Sequence, residues 1–190
     1  GAGTGTGTVT LGDGATTATG VGAVTQPAGT ISATTLNVRS TSGGVSLDRT
    51  TNALTSLGSI VTTGGDFTYV DSDGLTMGTG GSIDTTKAAS AGGAVSITAG
   101  GALALRDITT SGTGANNAGG AVTLVTSAGG ITTASGTTIT TSAGGGAATN
   151  AGTVIFRSND TAVGLSGSIT ATGAGTGTGT VTLGDGATTA

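Results

Sequence analysis

The stretch of sequence that decides the fold is AGGAVSITAGGALALRDITTSGTGANNAGGAVTLVTSAGGITTASGTTITTSAGG, residues 91–145. It contains short segments in which two apolar residues flank a small or polar one, such as Val95-Ser96-Ile97 and Val122-Thr123-Leu124, and Gly-rich spacers separate them. In a β-strand this alternation places both apolar side chains on one face, and Val, Ile and Thr suit a pleated surface. The stretch therefore predicts short strands joined at Gly-rich corners.

Strand segments of this kind recur along the chain at intervals of about 27–32 residues, a spacing typical of solenoids. The first strand of each interval begins at Val9, Leu36, Phe67, Val95, Val122, Val154 or Val181. A second strand follows in most intervals, at Val45, Leu75, Leu103 or Ile131, and a third lies near Ile83, Ile108, Ile139 or Ile169. The first interval is the least regular and offers only Val21 and Val24.

A strand of three residues is not stable alone, but strands stacked about 4.8 Å apart can bond the neighbours above and below. We therefore predict an all-β fold in which residues 1–190 form one parallel β-solenoid segment. Each coil has about 27–32 residues and three short strands, and Val, Leu and Ile form columns along a narrow core. Gly, Thr and Ser are poor helix formers, which argues against helices.

The two ends of the sequence are identical. Residues 1–18 and residues 173–190 both read GAGTGTGTVTLGDGATTA, so the sequence that begins at Gly1 begins again at Gly173. A local duplication inside one domain is one interpretation. We favour a tandem array, in which residues 1–172 form one unit and residues 173–190 begin the next identical unit.

Composition argues against several classes of protein. Gly contributes 41 residues, but the mean hydropathy is +0.28 and only 7% of residues are charged, unlike a disordered chain. The net charge of −4 and the lack of a basic patch argue against a nucleic-acid partner. The sequence has no apolar run long enough to predict a membrane-spanning helix. The lack of Cys excludes disulfides and thiolate metal sites.

Residues 91–145 resemble the repeats of filamentous-haemagglutinin-like exoproteins of bacteria, which also read as Gly-Gly-x-Val-x-Leu-x-Ala-x-Gly-x-Ile. The resemblance extends more loosely over residues 31–190. It implies a right-handed parallel β-helix, export by a two-partner or autotransporter-type route, and a role in adhesion or in a biofilm matrix. The long exact duplication is more typical of giant repetitive surface proteins, and no residue carries over as a site because the family's repeats are scaffold.

The sequence offers little material for catalysis. It has no His, Cys or Glu, and its nine acidic residues are all Asp. A polysaccharide-cleaving β-helix needs clustered carboxylates, and only Asp66, Asp71 and Asp73 lie close together in sequence. We therefore expect no enzyme activity and no catalytic residues, with a glycan-processing β-helix as a remote alternative.

Calcium is the one cofactor to consider. Asp71-Ser72-Asp73-Gly74 places two carboxylates, which are hard oxygen ligands, beside a turn. Asp71 and Asp73 are therefore the candidate metal ligands. The alternative is an Asx-type turn with no metal, and it is the interpretation that we favour.

Ice binding is the principal alternative function. Alternating threonines on a flat β-helix face can order water, and the sequence has two such runs, at Thr4, Thr6, Thr8 and Thr10 and at Thr176, Thr178, Thr180 and Thr182. Ice binding requires the same Thr pair in every coil. The variable coil lengths and the scattered threonines argue that Thr serves here as a soluble strand former.

The function that we expect is that of a structural or adhesive segment in a long secreted bacterial surface protein or extracellular filament. The location is extracellular or at the cell surface. The expected partners are other copies of the same repeat, arranged end to end, and host or matrix glycans or surfaces. Nucleic acid and membrane insertion are not expected.

Overall fold

The computed structural model describes residues 7–12, 20–159 and 161–184. Every regular element among these residues is a β-strand. In chain order the strands are β1 (Thr8–Leu11), β2 (Val24–Thr25), β3 (Ser32–Ser40), β4 (Val45–Leu47), β5 (Ala53–Thr62), β6 (Phe67–Asp71), β7 (Leu75–Asp84), β8 (Val95–Ala99), β9 (Leu103–Leu105), β10 (Asp107–Thr109), β11 (Val122–Thr126), β12 (Ile131–Thr133), β13 (Thr138–Thr140), β14 (Ala148–Thr149), β15 (Val154–Ser158), β16 (Val163–Leu165), β17 (Ser168–Thr170), β18 (Ala174–Gly175) and β19 (Val181–Gly184).

One sheet has seven strands in the order β19-β15-β11-β8-β6-β4-β2. Neighbouring strands are parallel and in register, so that Val95, Val122 and Val154 lie side by side across three strands. Parallel strands that are neighbours in a sheet need a long connection between them. Here each connection passes through the second sheet before the chain returns.

The second sheet has ten strands. Its main path is β1-β3-β5-β7-β10-β13-β17, and a branch runs from β7 through β9 and β12 to β16. All of its pairings are parallel, and Ile83, Ile108, Ile139 and Ile169 form one continuous column. The described residues thus confirm an all-β fold with parallel sheets, which is compatible with a β-helix.

The core lies between the inward faces of these strands. The short strands in the middle of the stack alternate buried and half-buried residues, as in Val122–Thr126, where Val122, Leu124 and Thr126 are buried. The largest fully buried side chains are Tyr69, Phe67 and Phe156. Phe67 and Tyr69 stack with ring centroids 6.5 Å apart, which fills the core with two of the few aromatic residues of the chain.

The predicted spacing is wrong in the first part of the chain. The sequence predicts that Leu36 stacks on Phe67, but Leu36 pairs with Val9 and Leu57 in the ten-stranded sheet. Phe67 pairs instead with Val45, the first residue of β4. The partners β2, β4 and β6 begin at Val24, Val45 and Phe67, so they follow one another at a shorter interval than the sequence predicts.

The physical reason is the length of the connection between the sheets. The chain returns to the seven-stranded sheet through residues 41–44 after β3 and 63–66 after β5, but through residues 110–121 after β10. From β6 to β19 the partners in the seven-stranded sheet begin at Phe67, Val95, Val122, Val154 and Val181, which is the predicted series. From β8 onward three short strands follow one another in each interval, as in β11, β12 and β13.

Candidate functional site

A hydrogen-bonded clamp closes the chain where it passes from the ten-stranded sheet to the seven-stranded sheet. The Thr110 hydroxyl group donates to the carbonyl oxygen of Gly120 at 2.6 Å. The Gly120 N–H group donates back to the carbonyl oxygen of Thr110 at 2.6 Å. Equivalent side-chain bonds link Ser40 with Gly43, Thr62 with Gly65, Thr85 with Gly93 and Thr141 with Gly152. The donor is fully buried in every clamp, so each bond satisfies a hydroxyl group that water cannot reach.

The glycine in these clamps is required by close approach of the backbone. A Cβ atom on Gly120 would overlap the carbonyl oxygen of Gly93, and a Cβ atom on Gly93 would overlap that of Gly65. Only glycine therefore lets successive corners stack at the normal spacing of strands. Each of these glycines lies two positions before the strand that follows, as Gly120 precedes Val122.

The clamps hold connections of different length. The clamp residues are 3 positions apart for Ser40 and Gly43, but 8, 10 and 11 positions apart for Thr85, Thr110 and Thr141 and their partners. The longer connections are loops outside the core. We name residues 86–92, 111–119, 142–151 and 172–178 the loop ridge.

The members of the loop ridge are bonded to one another. The Thr113 N–H group donates to Ser90 O, the Gly112 N–H group donates to Ser142 O, and the Ala143 N–H group donates to Thr172 O, each at 2.9 Å. β14 also pairs with β18 in a two-stranded antiparallel sheet. The loops therefore form one continuous surface along the corner, built by backbone hydrogen bonds that follow the stacking of the strands.

The exposed chemistry of the loop ridge is neutral and hydrogen-bonding. Its residues, all of them described, are mainly Gly, Ala, Ser, Thr and Asn, and Lys87 is the one charged side chain among them. Ala89 and Asn116 have positive φ angles of 53° and 62°, which is uncommon for residues with a side chain. Such a surface offers many hydrogen-bond donors and acceptors, but its residues include no carboxylate, imidazole or thiol that could serve as a catalytic base or nucleophile.

The two calcium candidates face different environments. Asp71 is 2% exposed. Its Oδ2 accepts hydrogen bonds from Tyr69 Oη at 2.6 Å and Leu54 N at 2.9 Å, and its Oδ1 accepts one from Asp73 N at 2.9 Å. The last of these bonds is the Asx-type turn. Asp73 is exposed, whereas Asp71 is buried. The two residues are therefore joined by the backbone of a turn but do not lie in one buried site.

The carboxylate of Asp71 acts instead on the core. Burial raises the pKa of the Tyr69 hydroxyl group above its usual value of 10.0, and the hydrogen bond to Asp71 and the charge of that carboxylate raise it further. The tyrosine is therefore a neutral donor at physiological pH. The pair joins β6 to the beginning of β5 through the Leu54 N–H group.

Other aspartates also bond to the backbone. Asp66 Oδ1 accepts from Ala94 N at 2.7 Å and joins two neighbouring connections, and Asp107 Oδ1 accepts from Thr138 N at 2.8 Å and joins β10 to β13. Asp84 Oδ1 accepts from both the N–H and the hydroxyl group of Thr86. Among the residues that the structure describes, no group of three or more His, Cys, Asp or Glu side chains could hold a metal ion. Asp13, Asp160 and Asp185 lie outside the described residues.

The threonine runs do not form a continuous rank. Thr109, Thr140 and Thr170 are neighbours on the outer face of the ten-stranded sheet, but the same column continues into Asp84 and Val61. Thr8 and Thr10 lie in that sheet beside Thr35 and Asn37, whereas Thr182 lies in the other sheet beside Ile155. Thr4 and Thr6 are outside the described residues.

The strands nearest the end of the described chain leave apolar side chains exposed. Leu165, Val181 and Leu183 are 38%, 45% and 55% exposed, and they are the large hydrophobic residues found exposed in the described part of the chain. Val181 and Leu183 pair on one side with Val154 and Phe156, which are fully buried. Their exposure therefore comes from the free side of β19, where the column has no further described strand.

Comparisons with known proteins supply no relative for this chain. No family model, no curated protein and no solved structure matches it. Within the described ranges there is also no helix long and apolar enough to cross a membrane.

Sequence reasoning missed the clamps, since it assigned Thr to soluble strand surfaces. The signal was nevertheless present. In Ile108-Thr109-Thr110 and Ile139-Thr140-Thr141 the second threonine continues the inward alternation that the isoleucine begins. Period two therefore places Thr110 and Thr141 inside the fold, and the carbonyl oxygen of the glycine two positions before the next strand supplies the acceptor.

Proposed function

We propose that this chain is a segment of a right-handed parallel β-helix with three strands per turn, and that its role is structural. It would extend a filament or adhesin stalk that lies outside a bacterial cell or at its surface. The observation that carries the proposal is the in-register parallel pairing of strands one interval apart, from Val45 through Phe67, Val95 and Val122 to Val181. Such pairing can continue indefinitely, because each added strand presents to the next strand the same row of backbone N–H and C=O groups that it pairs with itself.

A stack of parallel strands of this kind produces a long, thin filament. Each turn adds about 4.8 Å along the axis, and a unit of several turns adds about 30 Å. Stability comes from contacts between nearest neighbours, so the filament grows without needing a larger core. The identity of residues 1–18 and 173–190 supports a tandem array built from such units.

The proposed partners follow from the exposed surfaces. Other copies of the repeat meet end to end, where Val181 and Leu183 are exposed. Host or matrix glycans or surfaces contact the loop ridge, whose neutral amide and hydroxyl groups resemble the hydrogen-bonding groups that glycans present. The net charge of −4 disfavours nucleic acid.

Two other functions are less well supported. An ice-binding face needs one unbroken rank of threonine pairs, and the column that contains Thr140 continues into Asp84 and Val61. A glycan-processing enzyme needs free carboxylates that lie together, and the carboxylates of Asp66, Asp71, Asp84 and Asp107 each accept a backbone N–H bond. Asp48 and Asp73 are exposed, and these observations favour a structural role over an enzymatic one.

The test of the filament is its dimensions. Small-angle X-ray scattering on chains of one, two and three tandem units should give a maximum dimension that rises by about 30 Å per unit. The cross-sectional radius of gyration should stay constant. A cross-section that grows with each added unit would contradict the proposal.

Binding and the alternatives need separate assays. A glycan array probed with the three-unit chain tests adhesion, and deletion of residues 112–118 from each unit should lower the bound signal if the loop ridge makes the contact. A thermal-hysteresis measurement tests ice binding. Reducing-end assays on a panel of polysaccharides test for an enzyme, and we expect both of these to match buffer controls.

A further inference from the structure

One short sequence occurs in two different places in the fold. Thr8-Val9-Thr10-Leu11 and Thr180-Val181-Thr182-Leu183 are identical. The first forms β1, which lies in the ten-stranded sheet beside β3. The second contributes to β19, which lies in the seven-stranded sheet beside β15.

The first copy shows which strand covers this sequence. In β1 the apolar residues Val9 and Leu11 pair with Leu36 and Val38 of β3, and both partners are fully or almost fully buried. In β19 the equivalent residues Val181 and Leu183 are 45% and 55% exposed. The surface that β3 covers in the first copy is therefore the surface that no described strand covers in the second.

We propose that the open side of β19 accepts a strand with the sequence of Ser32–Ser40, supplied by the next unit of the same chain. Leu36 and Val38 of that unit cover Val181 and Leu183, as their counterparts cover Val9 and Leu11 here. The inference rests on the tandem array of the proposed function and adds its geometry.

The geometry follows from the sheets in which the two copies lie. The main path of the ten-stranded sheet passes through seven strands from β1 to β17, which makes six turns. After β17 the chain crosses to the seven-stranded sheet to form β19. One unit, from Gly1 to Thr172, is therefore six turns and part of a seventh, and the next unit begins on a different side of the axis.

This incomplete turn gives the filament a property that a single unit lacks. If a unit closed after a whole number of turns, every loop ridge would lie on one side of the filament. With a partial turn left over, the loop ridges of successive units point in different directions around the axis. A stalk built in this way presents its loops on all sides.

Engineered disulfides can test the arrangement, because the chain contains no Cys. The test chain is residues 1–172 followed by residues 1–190. Neighbouring parallel strands lie about 4.8 Å apart, within the range that a disulfide spans. One variant carries Ile155→Cys and Thr182→Cys, and another carries Thr182→Cys and Asn37→Cys in the second unit.

The matched control carries Thr123→Cys and Ile155→Cys, which are neighbours within one unit. Oxidation followed by peptide mapping should show that both test pairs cross-link to the same extent as the control pair. If one unit instead made a whole number of turns, Thr182 would lie beside Ser166 on the neighbouring turn. A chain with Ser166→Cys and Thr182→Cys tests that alternative, because it would then form the cross-link.

The outcomes separate the two proposals. Cross-linking of the control and of Ser166 with Thr182, without Ile155 with Thr182, would overturn the partial turn and leave the β-helix in place. If the cross-links formed between different chains and not within one chain, the proposal that the next unit of the same chain supplies the covering strand would be wrong. Failure of the control pair would overturn the stacked fold itself, and with it the proposed function.

Discussion

The Tyr69 hydroxyl group donates a 2.6 Å hydrogen bond to Asp71 Oδ2, and the same oxygen accepts the Leu54 N–H group at 2.9 Å. A carboxylate at 2% exposure thus joins the end of one strand to the beginning of another in the other sheet. A buried charge is tolerated only when it is bonded in this way, because the interior offers no water to replace its partners. The core therefore depends on this pair keeping all of its hydrogen bonds.

Removal of the carboxylate should weaken the fold. Asp71→Ala leaves the Tyr69 hydroxyl group and the Leu54 N–H group without an acceptor, and we expect the free energy of unfolding to fall by about 3 kcal/mol. The control is Asp73→Ala, which removes an exposed carboxylate and should change stability by less than about 0.5 kcal/mol. Urea unfolding followed by circular dichroism measures both, and equal effects would contradict the assignment.

The same tyrosine should make the protein sensitive to alkali. Burial raises the pKa of Tyr69 above the 10.0 of an unfolded chain, so above pH 10 the unfolded state has lost a proton that the folded state retains. Stability is therefore fully present below pH 10 and falls as the pH rises, by about 1.4 kcal/mol per pH unit.

Spectroscopy can follow this directly, because Tyr69 is the one tyrosine in a chain without Trp. Tyrosinate absorbance should appear together with the loss of the β-sheet circular-dichroism signal and not before it. Tyr69→Phe should abolish this part of the alkaline destabilisation. A tyrosine that titrates near pH 10 while the sheet signal persists would contradict the burial of its hydroxyl group.

The clamp hydroxyl groups should contribute to stability in a way that outward threonines do not. Thr110→Val keeps the shape of the side chain but leaves the Gly120 carbonyl oxygen without the 2.6 Å hydroxyl bond. We expect a loss of about 1–2 kcal/mol in the free energy of unfolding. Thr109→Val, on the outer face one position earlier, should cost less than about 0.5 kcal/mol, and a larger loss there would refute the distinction.

The clamp glycines should not tolerate a side chain. Gly120→Ala places a Cβ atom onto the carbonyl oxygen of Gly93, so the stack must separate at this corner, and we expect a loss of about 3 kcal/mol. Gly145→Ala is the matched control, because no atom lies within 4 Å of its Cβ position. Thermal unfolding of both variants decides the matter, and similar melting temperatures would count against the close approach.

Calcium should have little effect on the folded protein. Both oxygens of Asp71 are engaged by Tyr69, Leu54 and Asp73 within the chain. We expect the melting temperature to be the same with calcium chloride and with a chelator present. A calcium-dependent rise that Asp73→Asn removes would restore Asp71 and Asp73 as a metal site.

Local alternation predicted most strands of the second half of the chain. Val95-Ser96-Ile97, Val122-Thr123-Leu124 and the isoleucines of the third strands lie in strands and stack as expected. These positions were predictable because a two-residue period leaves one choice of inward face. The loop ridge was not predictable, since its surface depends on backbone bonds between loops that are far apart in sequence.

By itself the sequence determined the class of structure: parallel strands of Val, Ile, Leu and Thr, separated by glycines, in a chain without His, Cys or Glu. Only the tertiary structure decided which strand lies beside which. Leu36 lies beside Leu57 and not beside Phe67, because residues 41–44 form a short connection from β3 to the seven-stranded sheet, whereas residues 110–121 form a long one after β10. The pairing depends on the length of each connection, and the local alternation of apolar residues does not predict that length.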